Sequence, residues 1–267
     1  MSVYSFERGT LPLLISIPHA GTDVPKIIGD CMTTVGRELP DTDWYVDQLY
    51  AFANRMGASV IKANYSRYVV DLNRSPDSAA LYDSNPTSPV CAAMTFGGEA
   101  IYAPGKAPSS SEIIGRVQQY WRPYHESLQE ELDRMRAQHG FALLWDAHSI
   151  LSEVPDLFTG VLPEFNIGTR NDVSCPAEVG MALLQSVESD GQYSAVLNGR
   201  FTGGYITMHY GLPANRVWAV QLELAQRIYM DETHRRSFDA NRAQDAARLI
   251  ETLMNRYLSL ARQRLAE

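Results

Sequence analysis

Short apolar runs bounded by turn residues alternate along this chain with segments of helical period. Leu13-Leu14-Ile15-Ser16-Ile17 predicts a strand that stops at Pro18. A helix is expected from Asp41, whose carboxylate can cap free N–H groups, through Trp44, Leu49 and Phe52 to Gly57. Strands follow over Ala58–Ile61 and Tyr68–Leu72. Residues 75–110 are rich in Pro, Ser, Gly and Ala and hold no sustained period, a length of irregular chain that is usually functional. The serines at 109–111 open a long helix through Ile113, Val117, Trp121, Leu128, Leu132 and Met135, closed by His139-Gly140. Phe141–Asp146 is the most apolar strand candidate. After a second irregular stretch (150–175) come a helix from Pro176 to Ser189 and strands at Tyr193–Leu197 and Val217–Leu222. A C-terminal helix over Glu232–Ala266 completes the series.

Strands spaced by helices indicate an α/β sheet covered on both faces. The pattern predicts one domain over residues 1–267, with no internal repeat and no linker. The chain has 23 basic and 31 acidic residues, a net charge of −8, and no basic cluster, which argues against a nucleic-acid partner. No run approaches the ~20 apolar residues of a membrane span. The N-terminal residues lack the pattern of a signal peptide, and Cys31, Cys91 and Cys175 are too scattered for a paired motif. These features predict a cytoplasmic protein with free thiols. They leave its oligomeric state open.

In open α/β sheets ligands sit beyond the carboxyl ends of strands. Three such ends carry chemistry here: Pro18-His19-Ala20-Gly21, Asp146-Ala147-His148-Ser149 and Gln221-Leu222-Glu223. Two histidines ending separate strands suit a shared metal, since neutral imidazole is the commonest ligand and a third protein ligand is then required. Asp23, Asp41, Asp43, Asp47 and Asp146 are the acidic candidates, and spacing alone does not choose among them. Asp43 and Asp47, four apart, would share a helical face. Asp146 would lie on the same strand face as His148. Glu223, a carboxylate at a buried strand end, should have a raised pKa and suit a general base.

As a strand, Ser66–Arg74 would place Arg67, Val69, Asp71 and Asn73 on one face, a set too polar for packing alone, and arginine forks bind carboxylates. Gly203–Gly211, read as an extended segment, would align Tyr205, Thr207 and His209. There is no GxSxG, GxGxxG or Walker A pattern, which disfavours a serine-hydrolase elbow and a dinucleotide site.

Several long segments resemble the N-formylglutamate amidohydrolase family: Leu14–Gly21, Leu39–Trp44, Tyr65–Arg74, Trp145–Ser149, Leu197–Phe201, Gly203–Thr207 and Gln221–Gln226. The resemblance implies hydrolysis of N-formyl-L-glutamate to L-glutamate and formate in histidine degradation. It also implies a zinc-carboxypeptidase-like fold, a three-layer α/β/α sandwich with a mixed, mostly parallel central sheet. In the wider group a His-x-x-Glu motif, a later histidine, an Asn-Arg pair and a late glutamate carry the site. His19, His148, Asn73-Arg74 and Glu223 fall in that order. Thr22 stands where the motif requires glutamate, so the acidic ligand must come from elsewhere. The expectation is one divalent ion, Zn²⁺, on His19, Asp43 and His148, with Asp23 and Asp47 as rivals to Asp43. Glu223 is then the base. Arg67, Asn73 and Arg74 would meet substrate carboxylates, Tyr205 and Thr207 would orient the substrate, and His209 would touch substrate or oxyanion.

Overall fold

The computed structural model describes residues 2–77, 89–232 and 237–265. Its strands are β1 (Tyr4–Glu7), β2 (Leu13–Ile17), β3 (Ser59–Ala63), β4 (Ala142–Ile150), β5 (Phe165–Gly168), β6 (Ala195–Leu197) and β7 (Val217–Ala225). They form one sheet in the order β1-β3-β2-β4-β7-β5-β6. Four consecutive strands, β3, β2, β4 and β7, are parallel, while β1 runs antiparallel to β3 and β5 antiparallel to β7. The helices are α1 (Lys26–Gly29), α2 (Thr34–Glu38), α3 (Val46–Leu49), α4 (Ala53–Met56), α5 (Ser110–Arg116), α6 (Arg122–His139), α7 (Ala177–Asp190), α8 (Tyr205–Tyr210) and α9 (Ala240–Leu265). A π-helical turn, Val117–Trp121, joins α5 to α6.

Alternation along the strands builds two cores. Leu13, Ile15, Leu143, Trp145, Val220 and Leu222 pack on one face against α3, α7 and α9. Leu14, Ile61, Ala142, Leu144, Val217 and Ala219 pack on the other against α6 and α8. The sheet therefore lies between helical layers, a mixed three-layer α/β/α arrangement. Among the described residues no helix is long and apolar enough to cross a membrane.

The structure departs from the sequence reading at several places. The helix expected over 41–57 begins only at Val46, because Tyr45 takes a left-handed φ of 60° just before it, and it is divided into α3 and α4. Asp43 is thus outside the helix and shares no helical face with Asp47. The strand expected at Tyr68–Leu72 is a run of turns. The Ser66 hydroxyl accepts from Tyr68 N (3.2 Å), and Asp71 Oδ1 accepts from Asn73 N (2.9 Å), local bonds that compete with a ladder. Gly203–Gly211 is not extended either, since Tyr205–Tyr210 is α8. Its free Ile206 N–H is capped from a distance by Asn73 Oδ1 at 2.8 Å. Part of the expected irregular stretch (78–88) lies outside the described residues, as do 233–236 of the expected C-terminal helix; that helix begins only at Ala240 as α9, since Phe238 forms a bridge with Met230 instead.

One buried histidine belongs to the core. His125 on α6 bonds Leu72 O through Nε2 (2.8 Å) and Tyr210 OH through Nδ1 (2.9 Å), and burial pushes its pKa down to about 3. The folded value lies below the unfolded one near 6.5, so this contribution to stability is complete above pH 6.5 and falls as the pH drops toward 3. Between pH 8 and pH 5 the expected loss is about 2 kcal/mol. Urea midpoints measured across that range should fall in the wild type, and more steeply than in His125→Gln. Equal slopes would contradict the assignment.

Candidate metal centre

The face of the sheet that packs on α6 changes character along its length. On β4 the sequence Ala142, Leu144, Asp146, His148 points that way, and on β7 Val217, Ala219, Gln221, Glu223. Apolar residues fill the first half, and the last two positions of each set are polar. His148 and Glu223 are register partners on adjacent strands, so their side chains emerge side by side on the sheet. Both strands continue to Ile150 and Ala225, so these residues sit inside the strands and are almost wholly buried.

His19 enters from the loop after β2, and the backbone couples it to the loop before α3, Asp43 N donating to His19 O at 3.1 Å. Asp43 Oδ2 lies 3.1 Å from His148 Nδ1 and 3.7 Å from His19 Nδ1 and also accepts from Ser149 N. One ligand atom from each of His19, Asp43 and His148 falls within 4.8 Å of the others. The histidine ring centroids are 4.9 Å apart. The other acidic candidates are engaged elsewhere. Asp47 pairs with Lys62 (2.9 Å), Asp41 accepts from Tyr68 OH and Phe96 N, and Asp23 is exposed and bridges Tyr65 through its backbone.

Each ring is backed by a second carboxylate. His19 Nε2 lies 2.8 Å from Asp71 Oδ1, and His148 Nε2 lies 3.1 Å from Asp146 Oδ2. A carboxylate behind an imidazole fixes its tautomer and orientation and leaves the front nitrogen to a metal. Arg67 Nη2 donates to Asp71 Oδ2 at 2.8 Å, and Nη1 lies 3.6 Å from Asp43 Oδ1. Phe96 covers the guanidinium, 4.7 Å from ring centroid to Cζ. Asn73 Nδ2 stands 3.0 Å from His148 Nε2 and 3.4 Å from Asp146 Oδ2. Gly204 permits this approach, since a Cβ there would fall 2.3 Å from Asn73 Nδ2.

The electrostatics follow from burial and charge. Burial alone would raise Asp71, but His19, Arg67 and Arg74 hold it well below the usual carboxylate range. Asp43 is likewise lowered against burial, by His148 and His19. Burial, with the Arg67 charge, lowers His19 toward its neutral, ligating form. Burial opposes the charge on His148, yet Asp146 and Asp43 pull its pKa upward. Glu223 is pushed up to about 8, chiefly by burial. Its Oε2 accepts from Gln221 Nε2 (3.2 Å), and Gln221 Oε1 accepts from Gly204 N (2.7 Å).

Asp43, Asp71, Asp146 and Glu223 thus crowd one buried region with Arg67 as the guanidinium among them. Asp146 Oδ1 has no hydrogen-bond partner among the described residues. Buried carboxylates in such excess are stable when a cation joins them. Two imidazole nitrogens and a carboxylate oxygen are a donor set that divalent zinc accepts.

The remaining expected residues are placed unequally. Arg74 is half-buried at the edge, where its Nη1 donates to Asn73 O (3.1 Å). Thr207 faces inward and donates to Asp146 Oδ2 at 3.3 Å, so it stands behind the Asp146–His148 pair. Tyr205 is buried, while His209 is exposed and stacks on Tyr205 with centroids 5.0 Å apart, as residues four apart on a helix do. Asp71 and Gln221 carry more of the site than their sequence context suggested. An aspartate followed two residues later by asparagine signals a side-chain-capped turn, and that pattern would have identified Asp71.

The chain is 48% identical over 262 residues to an N-formylglutamate deformylase of Pseudomonas putida, covering 98% of each. It is 46% identical over 264 residues to a protein of the same name from Pseudomonas aeruginosa, covering 99% of each. Among solved structures, an N-formylglutamate amidohydrolase from Ralstonia eutropha superposes with a TM-score of 0.81 at 23% identity, over 98% of this chain and 99% of that one. A gene product from Agrobacterium tumefaciens superposes at 0.74 and 18% identity, over 97% and 96%. These two share the fold. The N-formylglutamate amidohydrolase profile matches residues 11–230, and the chain is a member of that family.

Proposed function

We propose that this protein hydrolyses N-formyl-L-glutamate to L-glutamate and formate, with one divalent ion, Zn²⁺, held by Nδ1 of His19, Nδ1 of His148 and the Asp43 carboxylate. The observation that carries the reading is the convergence of these three groups beside Glu223, one strand away. A bound divalent cation supplies Lewis-acid polarisation of a carbonyl and acidifies a water at neutral pH.

The chain's own residues do the rest. Glu223 takes the proton of the attacking water on a carboxylate oxygen and returns it to the amine nitrogen as the C–N bond breaks, so hydroxide ends on the formyl carbon. A carboxylate raised by burial is suited to holding that proton near neutral pH. Asp71 and Asp146 keep the two imidazoles in register from behind. Arg67, Asn73 and Arg74 meet the two substrate carboxylates. Arg67 is anchored by Asp71, and its fork has N–H groups beyond that bond. Tyr205 orients the substrate from the wall, His209 acts from the rim, and Thr207 acts through Asp146. The three cysteines are free, which suits a reducing cytoplasm, and the product would feed glutamate from histidine breakdown.

The decisive test couples metal analysis with formate release from formyl-, acetyl- and larger acyl-glutamates. Stoichiometric metal with selective turnover of the formyl compound supports the proposal. Tight binding with no formate and no metal would overturn it. Arg74→Ala should lower kcat/KM for formylglutamate by the equivalent of about 2–5 kcal/mol with metal content unchanged. A change under twofold would remove Arg74 from the site.

A further inference from the structure

The turn segment that carries Asn73 and Arg74 has no ladder of its own, yet the carbonyls of Leu72, Asn73 and Arg74 are all engaged. Leu72 O accepts from His125 Nε2 (2.8 Å), and Arg74 O accepts from Trp121 Nε1 (3.0 Å). Asn73 O, between them, accepts from Tyr205 N (3.4 Å). Upstream, Val69 O accepts from Arg116 Nη1 (3.3 Å), which also donates to Tyr102 OH (2.8 Å). Three of these four donors, Arg116, Trp121 and His125, stand on one long helix.

That alignment needs the π turn. In a regular α-helix residues five apart diverge by about 140°, so Arg116 and Trp121 would face different ways. The i→i+5 repeat over Val117–Trp121 widens the turn and returns the fifth residue to the same face. Pro123 supplies a local cause, since it lacks an N–H and its ring clashes with the carbonyl four residues back in a regular helix. Trp121 then stacks on His125, with centroids 3.7 Å apart and planes 18° apart.

We propose that Trp121 and His125, four apart on one face where α6 begins, are positioning residues that clamp the carbonyls on either side of Asn73 and so set Asn73 and Arg74 for the substrate carboxylate, the π turn bringing Arg116 to the same side. This rests on the hydrolase reading above. Neither residue reaches the reacting atoms, so their effect passes through the loop and belongs mainly in KM.

The test is steady-state kinetics of the metal-loaded full chain. Trp121→Phe keeps the stack and deletes one donor, and should raise KM for formylglutamate about tenfold, the scale of one carbonyl hydrogen bond, with kcat within threefold and metal content unchanged. His125→Phe, which has no donor for Leu72 O, should act in the same direction. Urea unfolding of each variant gives the folded fraction used to normalise the rates, so an unstable variant is still scored. Kinetic constants within twofold of wild type in both variants, with only stability reduced, would overturn the clamp and leave a structural role. A wild-type protein that releases no formate would instead sink the activity reading, and the two failures are distinct.

Discussion

Glu223→Gln should lower kcat by about 10²–10⁴-fold with bound metal unchanged, the usual contribution of a positioned general base. The substitution preserves shape and leaves an amide able to face Gln221. It removes a carboxylate that is buried near Asp43 and Asp146 and pushed upward chiefly by burial. Folding should therefore be as stable as in the wild type or slightly more so, because loss of a buried like charge relieves repulsion. Activity falling while the thermal midpoint holds or rises is the signature of a catalytic carboxylate. Full turnover by a metal-loaded Glu223→Gln protein would exclude this role, and a parallel collapse of stability and metal content would make Glu223 structural.

Removal of the divalent ion by a chelator should abolish formate release and also soften the fold. Asp43, Asp71 and Asp146 are almost fully buried around two imidazoles, and Asp146 Oδ1 has no partner among the described residues. A ligand that binds only the folded chain stabilises it by about 2.7 kcal/mol at a hundred times its dissociation constant. For a chain of this size that corresponds to roughly 5–10 °C in the thermal midpoint. Differential scanning calorimetry before chelation, after it and after re-addition of zinc checks both effects. Activity and midpoint should return together. A midpoint indifferent to the chelator, in protein shown to have lost its metal, would mean that the cluster does not hold the ion.

The parts of this fold that were legible in the sequence are those set by repeating pattern. The apolar runs at 13–17, 142–146 and 217–222 mark inner strands, because strands covered on both faces read as continuous hydrophobic stretches. The long amphipathic helices announced themselves by period. Legibility failed where single side chains outrank pattern. Ser66 and Asp71 fold a β-branched stretch into turns, and Asn73 caps α8 across 133 residues of chain, a bond that no local window contains. Strand ends ran short for a related reason. Polar His148 and Glu223 look like exits from a strand, yet each lies within a nine-residue pairing of β4 with β7.

The site divided along the same line. His19, His148 and Glu223 stood out because a titratable residue at the end of an apolar strand is costly unless it is used. The choice among five aspartates could not come from spacing, since it depends on where two loops cross. Asp43 is brought in by its backbone bond to His19, whereas Asp47, four residues on, turns toward Lys62. Asp146 and Thr207 show the limit from the other side: in sequence Asp146 is one of five metal-ligand candidates and Thr207 a substrate contact, whereas Asp146 stands behind the His148 ring and Thr207 donates to Asp146.

The widened turn at Val117–Trp121 behaves as a one-residue shim in a long lever. Taking a residue out there would rotate everything downstream by about 100°. Leu128, Leu132 and Met135 would then swing out of the hydrophobic layer beneath β4. The helix cannot change its length there without also unseating half the interior, so variation in its bonds to the carbonyls of Val69, Leu72 and Arg74 must come through side chains.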